Sequence, residues 1–122
     1  MLIIEDDVDA AETLREALAL CDHEVRVAHD GPEGLKAARK SRPDAVLCDI
    51  GLPSMTGYEV AAAMRADRAL KKTFLIALSG WSLPEDGRKA IQAGFDQHLA
   101  KPPDLDLLEA LVANLAAPKP TR

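Results

Sequence analysis

The chain of 122 residues predicts an α/β fold built on a parallel five-stranded sheet. Short apolar runs alternate five times with segments of helical periodicity, and this alternation is typical of parallel strands joined by crossover helices. The run at 74–78 is apolar throughout, as expected of a strand covered on both faces. Several runs end in a charged or hydroxyl residue. Because the carboxyl ends of parallel strands share one edge of the sheet, these residues should meet there.

The five apolar runs are predicted to be strands, and their patterns separate the edge from the interior. Val25 and Val27 flank Arg26, and this alternation of apolar and polar residues favours an edge strand. The uninterrupted run at 74–78 favours a central strand. The predicted strands cover 2–5, 24–28, 45–49, 74–78 and 97–100.

The helices between the strands are predicted from their end signals. Four starts pair a side-chain oxygen with a glutamate three residues later, the spacing of a capping box. These starts lie at Asp9, Asp30, Thr56 and Ser82, with Asp7 left open as the alternative cap of the first helix. Pro43 should end the second helix and Gly94 the fourth. Leucines and a valine on one face, from Leu105 to Leu115, indicate the fifth helix.

Composition excludes several classes of function. The formal net charge is -5, the pI is about 5.1, and no basic stripe is present, so direct nucleic-acid binding is not expected. No apolar run approaches the roughly 20 residues that span a bilayer. Cys21 and Cys48 lack metal-ligand spacing and are interpreted as small buried hydrophobes of a reducing cytoplasm. The proline-rich stretch 117–122 is expected to be a flexible tail or linker stub.

Polar groups at the predicted strand ends suggest phosphoryl chemistry on a carboxylate. Glu5 and Asp6, Asp49, Ser79 and Lys101 each follow or end a different strand. Clustered carboxylates raise one another's pKa unless a cation joins them, and the cation preferred by oxygen ligands here is Mg²⁺. Taken singly, each residue has an ordinary explanation as a helix cap or a surface charge, but their joint placement favours a site.

The same residues lie in segments that resemble the receiver domains of two-component response regulators. The matching segments are 2–7, 43–60, 77–80 and 93–102, and the resemblance covers 1–116. It implies a flavodoxin-like three-layer (βα)5 sandwich with strand order 2-1-3-4-5. Parts of these segments also resemble receivers at the ends of hybrid sensor histidine kinases, so the parent protein could be such a kinase or a stand-alone regulator.

The resemblance implies a role for each residue of the predicted metal site. Asp49 matches the phosphoacceptor and Asp6 the direct metal ligand, while Glu5 is expected to act through water. Gly51 stands where the family uses a backbone carbonyl as a ligand. Lys101 matches the lysine that contacts the phosphoryl group, and we expect its ammonium to have no partner other than the Asp49 group.

A second set of positions matches the switch elements of the family. Ser79 occupies the switch hydroxyl position. His98 stands where many receivers have tyrosine or phenylalanine, and it is interpreted either as a switch or as an ordinary half-buried histidine. Trp81 is expected to change exposure with Ser79, with permanent packing as the alternative. The resemblance also implies a cis peptide bond between Lys101 and Pro102.

The expected function is that of a switch over 79–100, phosphorylated by a sensor histidine kinase or a histidine phosphotransfer domain. The domain would catalyse its own phosphorylation and dephosphorylation, and a receiver dimer through the fourth and fifth helices is left open. The alternative is a pseudo-receiver that only binds proteins. An aspartate-nucleophile phosphatase is disfavoured because Gly51 stands where its second acid belongs, and a flavin carrier because the loop after Glu5 is acidic.

Overall fold

The computed structural model describes residues 1–20, 24–53, 55–80, 84–101 and 103–116, with the backbone alone at 84–86 and 113–116. Strands and helices alternate along it, as the sequence predicts. The strands are β1 (Leu2–Ile4), β2 (Arg26–Ala28), β3 (Ala45–Asp49), β4 (Phe74–Ser79) and β5 (Gln97–Ala100). The helices are α1 (Val8–Ala19), α2 (Gly31–Ser41), α3 (Gly57–Ala66), α4 (Pro84–Ala93) and α5 (Leu105–Ala116).

All the strand pairs are parallel, and their order across the sheet is β2-β1-β3-β4-β5. The predicted α/β fold and strand order are therefore confirmed, as is the place of β2 at an edge. β2 is shorter than predicted and begins at Arg26, because β1, its one neighbour in the described part of the sheet, pairs with it over three residues. β4 extends one residue beyond the prediction and ends at Ser79.

Side chains that alternate along the strands form two cores, one on each face of the sheet. In β1, Leu2 and Ile4 pack into the core shared with α2, α3 and α4, whereas Ile3 packs into the core shared with α1 and α5. All three are fully buried. The sheet is therefore the middle layer of three, and its carboxyl edge stays open between the helix layers.

Side-chain caps and a glycine define several helix ends at the residues that the sequence predicts. Asp30 caps α2 by accepting from the amide of Glu33, and Thr56 caps α3 by accepting from that of Glu59. Gly94 follows α4 with a φ of 120°. The predicted cap at Ser82 lies outside the described residues.

The predicted start of α1 at Asp9 is wrong. Asp7 is the cap, and its Oδ1 accepts from the amides of Asp9 and Ala10 at 3.0 and 3.2 Å. Asp9 therefore lies inside the first helical turn. A negative charge is favourable there because the free amides of a helix N-terminus carry partial positive charge. α1 consequently begins only three residues after Glu5.

Arg65 ties together the edge of the sheet that lies opposite the carboxyl ends. Its guanidinium donates to the carbonyl oxygens of Lys71, Thr73 and Gly94 and pairs with Asp96 at 2.8 Å. One side chain of α3 thus joins the segments that enter β4 and β5. Within the described residues, no helix has the length and apolar character needed to cross a bilayer.

Gly57 lets α3 approach the end of β3 closely, and this contact predicts a stability effect. A Cβ at Gly57 would lie 2.7 Å from the carbonyl oxygen of Asp49 and 2.7 Å from Cα of Ile50, and neither backbone atom can move aside. We expect Gly57→Ala to lower the free energy of unfolding by about 1–3 kcal/mol, measured by urea denaturation. Gly80→Ala is the control, because nothing lies within 4 Å of a Cβ there. Equal stabilities of the two variants would contradict the close approach.

Candidate functional site

Lys101 joins two carboxylates at the carboxyl edge of the sheet. Its Nζ lies 2.7 Å from Oε1 of Glu5 and 3.1 Å from Oδ2 of Asp49. These residues follow or end β1, β3 and β5, so the ammonium reaches from the edge strand β5 across the sheet. The expectation that Lys101 pairs only with the Asp49 group is wrong. Glu5 is its shorter contact, and the ammonium compensates the charge of this buried carboxylate.

The carboxyl groups of this site differ in burial. Glu5 is 1% exposed and Asp49 6%, whereas Asp6 is exposed. Burial raises the pKa of Glu5 from its ordinary 4.5 to about 7; the hydrogen bond from Lys101 opposes this rise and the neighbouring Asp49 adds to it. Burial alone would lower the pKa of Lys101, but its hydrogen bonds to Glu5 and Asp49 outweigh that effect and raise it.

Glu5, Asp6 and Asp49 form the acidic cluster predicted from the sequence. One oxygen from each can be chosen so that all lie within 4.8 Å of one another. Among the described residues, this is the only group of three or more potential ligands placed for one metal ion. Carboxylate oxygens are the ligands that Mg²⁺ prefers, so the donor set fits that ion.

The loop after β3 holds Asp49 in place through backbone hydrogen bonds. The amide of Gly51 donates to Asp49 Oδ1 at 3.0 Å, and the amide of Ile50 donates to the carbonyl of Leu78 at 2.9 Å. Gly57 closes this loop by donating its amide to the carbonyl of Ile50 at 2.9 Å. The two oxygens of Asp49 thus have different partners, an amide on Oδ1 and an ammonium on Oδ2.

Ser79 and His98 meet beside the acidic cluster. Ser79 ends β4 and is 8% exposed, and its Oγ lies 2.8 Å from Nε2 of His98 on β5. Both residues were singled out in the sequence, but their direct hydrogen bond was not predicted. The other two proposed switch features, Trp81 and the peptide bond at Pro102, lie outside the described residues.

His29 is a neighbour of the site that sequence reasoning missed. Its Nδ1 lies 3.0 Å from the carbonyl oxygen of Glu5. His29 follows β2 directly, so the rule that polar residues after parallel strands converge would have found it. Cys48, next to Asp49, is free and fully buried as predicted, and burial raises the pKa of its thiol. Cys21 lies outside the described residues.

An apolar cavity of about 410 Å³ adjoins the acidic cluster between α1 and α5. Leu14 and Leu105 supply apolar walls, and Glu5 and Lys101 form its polar boundary. The carboxyl edge therefore combines a charged centre with an apolar flank.

Comparisons with known proteins agree with this fold. The family model of the response regulator receiver domain matches residues 1–113. The transcriptional regulatory protein PrrA of Mycobacterium tuberculosis is 36% identical over 118 residues, which cover 96% of this chain and 48% of PrrA. The chain thus spans about half the length of the curated relatives it matches.

Solved structures give the same result. A putative response regulator from Chloroflexus aurantiacus superposes with a TM-score of 0.89 at 33% identity, covering 95% of this chain and 96% of that one. The receiver domain of the sensor histidine kinase PA1611 from Pseudomonas aeruginosa has a magnesium ion coordinated in its active-site cleft. It superposes with a TM-score of 0.86 at 27% identity, covering 95% of this chain and 96% of that one. On the family match and the shared fold, this chain belongs to the response regulator receiver domains.

Proposed function

We propose that this domain is a magnesium-dependent phosphoacceptor that takes a phosphoryl group from a phosphohistidine onto Asp49. The observation that supports it most directly is the ammonium of Lys101, 3.1 Å from a nearly buried carboxylate that Glu5 and Asp6 also approach. A carboxylate can act as a nucleophile and form an acyl phosphate. The groups around Asp49 are those that phosphoryl transfer requires, namely oxygen ligands for a divalent cation and a fixed positive charge.

The proposed transfer uses one carboxylate oxygen of Asp49. An O–P bond forms to this oxygen while the N–P bond of the phosphohistidine breaks. The bonding electrons go to the imidazole nitrogen of the donor, which then takes a proton from solvent. Lys101 neutralises charge on the transferred oxygens, and Glu5 fixes the ammonium for this task through the contact of 2.7 Å.

We assign the metal site to Asp6, Asp49 and the carbonyl of Gly51, with Glu5 acting through water. When bound, Mg²⁺ supplies positive charge against the phosphoryl oxygens. The exposed position of Asp6 supports its role as a direct ligand, because its carboxylate is open to solvent while it stays within reach of the other two. Glu5 is already engaged by Lys101, which supports its indirect role.

The same proposal covers output and partners. Ser79 would donate to the phosphoryl group, and its displacement would alter the surface from 79 to 100, where His98 contacts it. The donor would be a sensor histidine kinase or a histidine phosphotransfer domain, and a receiver dimer is compatible with this role. We further propose a cytoplasmic location and a domain limit at residue 116, where α5 ends.

The raised pKa of Glu5 gives a prediction for the metal-free protein. Between about pH 4.5 and about pH 7 the native state keeps the proton of Glu5 and the unfolded chain loses it, so this group's contribution to stability falls as pH rises. The free energy of unfolding of wild type minus that of Glu5→Gln should therefore decrease across this range. It is measured by urea denaturation in chelator. Glu16→Gln, at an exposed position of α1, serves as the control. A flat or rising difference would contradict the assignment.

Phosphorylation should occur only at Asp49. Incubation with acetyl phosphate and Mg²⁺ should add one phosphoryl group to wild type by intact mass, and Asp49→Asn should gain none. Asp44→Asn, at the other end of β3, is the matched control and should be labelled like wild type. Label that persists in Asp49→Asn would refute the site, and an unlabelled wild type would favour a pseudo-receiver.

Neutralising Asp6 should weaken magnesium binding more than neutralising Glu5. We expect Asp6→Asn to lose about tenfold or more in affinity by titration calorimetry, because it removes a charged oxygen ligand. Asp9→Asn lies in the same acidic stretch but outside the cluster of three, so its affinity should stay near that of wild type. If Glu5→Gln lowered the magnesium affinity more than Asp6→Asn, the roles assigned to the two residues would have to be exchanged. If neither variant changed the affinity, the assignment of the ion to this site would be wrong.

A further inference from the structure

His98 is held against Ser79 by the register of two neighbouring strands. Ala77 pairs with His98 and Ser79 with Ala100, so Ser79 and His98 are diagonal neighbours across β4 and β5. Their side chains meet at 2.8 Å between Oγ and Nε2. The other ring nitrogen faces α4, where a Cβ at Gly87 would lie 3.6 Å from Nδ1. The ring thus occupies a defined place between the end of β4 and α4.

The hydrogen bond between Ser79 and His98 can be made in two ways. A serine hydroxyl has one hydrogen and two lone pairs, and each nitrogen of a neutral imidazole is either a donor or an acceptor. In the first arrangement Nε2 carries no hydrogen and the hydroxyl of Ser79 donates to it. In the second arrangement Nε2 carries the hydrogen and donates to a lone pair of Oγ, so the hydroxyl hydrogen is directed to an acceptor other than His98.

The two arrangements have opposite consequences for a phosphoryl group on Asp49. The phosphoryl oxygens are acceptors, so Ser79 can bond to them only with its single hydrogen. In the first arrangement that hydrogen is held by His98. If the hydroxyl hydrogen turned away while Nε2 carried no hydrogen, a lone pair of Oγ would face the lone pair of Nε2 at 2.8 Å. The phosphorylated state therefore requires the second arrangement if the contact is kept.

We infer that His98 keeps its contact with Ser79 in the phosphorylated state, that it is a positioning residue which sets the direction of the Ser79 hydroxyl hydrogen, and that it then carries a hydrogen on Nε2. This inference rests on the proposed function, in which Ser79 donates to the phosphoryl group. Phenylalanine at position 98 could fill the same space but could not orient the hydroxyl.

The direct test is the position of the ring hydrogen, read from long-range ¹H–¹⁵N spectra at about pH 8.5, where an imidazole is neutral. Adding Mg²⁺ and beryllofluoride, a phosphoryl mimic, should leave His98 with its hydrogen on Nε2. The inference is overturned if Nε2 lacks hydrogen while beryllofluoride is bound. Ser79→Ala is the control, because a response mediated by the hydroxyl disappears without it.

The second test measures beryllofluoride affinity by ¹⁹F NMR in a double-mutant cycle. His98→Leu should bind about three- to tenfold more weakly than wild type, because the hydroxyl hydrogen of Ser79 is then no longer directed toward the phosphoryl mimic and its hydrogen bond to the mimic weakens. His98→Gln should restore binding, because its amide can donate to Oγ. In the Ser79→Ala background, His98→Leu should have no further effect. Gln97→Leu, at the adjacent exposed position of β5, should match wild type.

The outcomes separate the two proposals. Failure of wild type to bind beryllofluoride would overturn the proposed function itself. Wild type could instead bind beryllofluoride while His98→Leu weakens binding equally in the wild-type and Ser79→Ala backgrounds. That result would overturn only the role of His98.

Discussion

The ion pair between the buried carboxylate of Glu5 and the partly exposed ammonium of Lys101 is the interaction on which the carboxyl edge of this sheet depends. Glu5 follows β1 and is 1% exposed, and Lys101 follows β5 on the other side of β3 and β4. Their contact of 2.7 Å therefore spans the carboxyl edge, with Asp49 between them. A charge buried without a partner is strongly destabilising, so the burial of Glu5 holds the Lys101 ammonium in the site. The pair thus holds the ammonium beside Asp49.

One ammonium cannot neutralise three carboxylates. Glu5, Asp6 and Asp49 bring three carboxyl groups within reach of one ion, and Lys101 supplies a single positive charge. The raised pKa of Glu5 is a sign of this imbalance, since burial and the neighbouring Asp49 both disfavour its charged form. The excess of negative charge thus makes the cluster electrostatically unfavourable unless a further cation joins it.

The fold and the membership of the acidic cluster could be predicted because both follow from local patterns. Apolar runs located the strands, and the geometry of parallel sheets brought Asp49 and Lys101 to one edge. The pairing within that edge could not be predicted in the same way. Whether Lys101 contacts Glu5 or only Asp49 depends on how deeply each carboxylate is buried, and that depends on packing between distant segments.

Two other details could not be predicted from the sequence for comparable reasons. The path of the backbone after β1 determines that Asp7 is the helix cap. The contact between Ser79 and His98 depends on the register of β4 against β5. Apolar runs of similar pattern do not specify that register.

We propose that the acidic edge binds a cation at the expense of stability, and unfolding of Asp6→Asn with and without Mg²⁺ tests this most directly. In chelator above about pH 7, where Glu5 is charged, the variant should have a higher free energy of unfolding than wild type, because it removes one of three crowded negative charges without breaking the pair of Glu5 and Lys101. Adding Mg²⁺ should stabilise wild type substantially more than the variant. A variant less stable than wild type in chelator, together with a wild type that Mg²⁺ does not stabilise, would contradict the account.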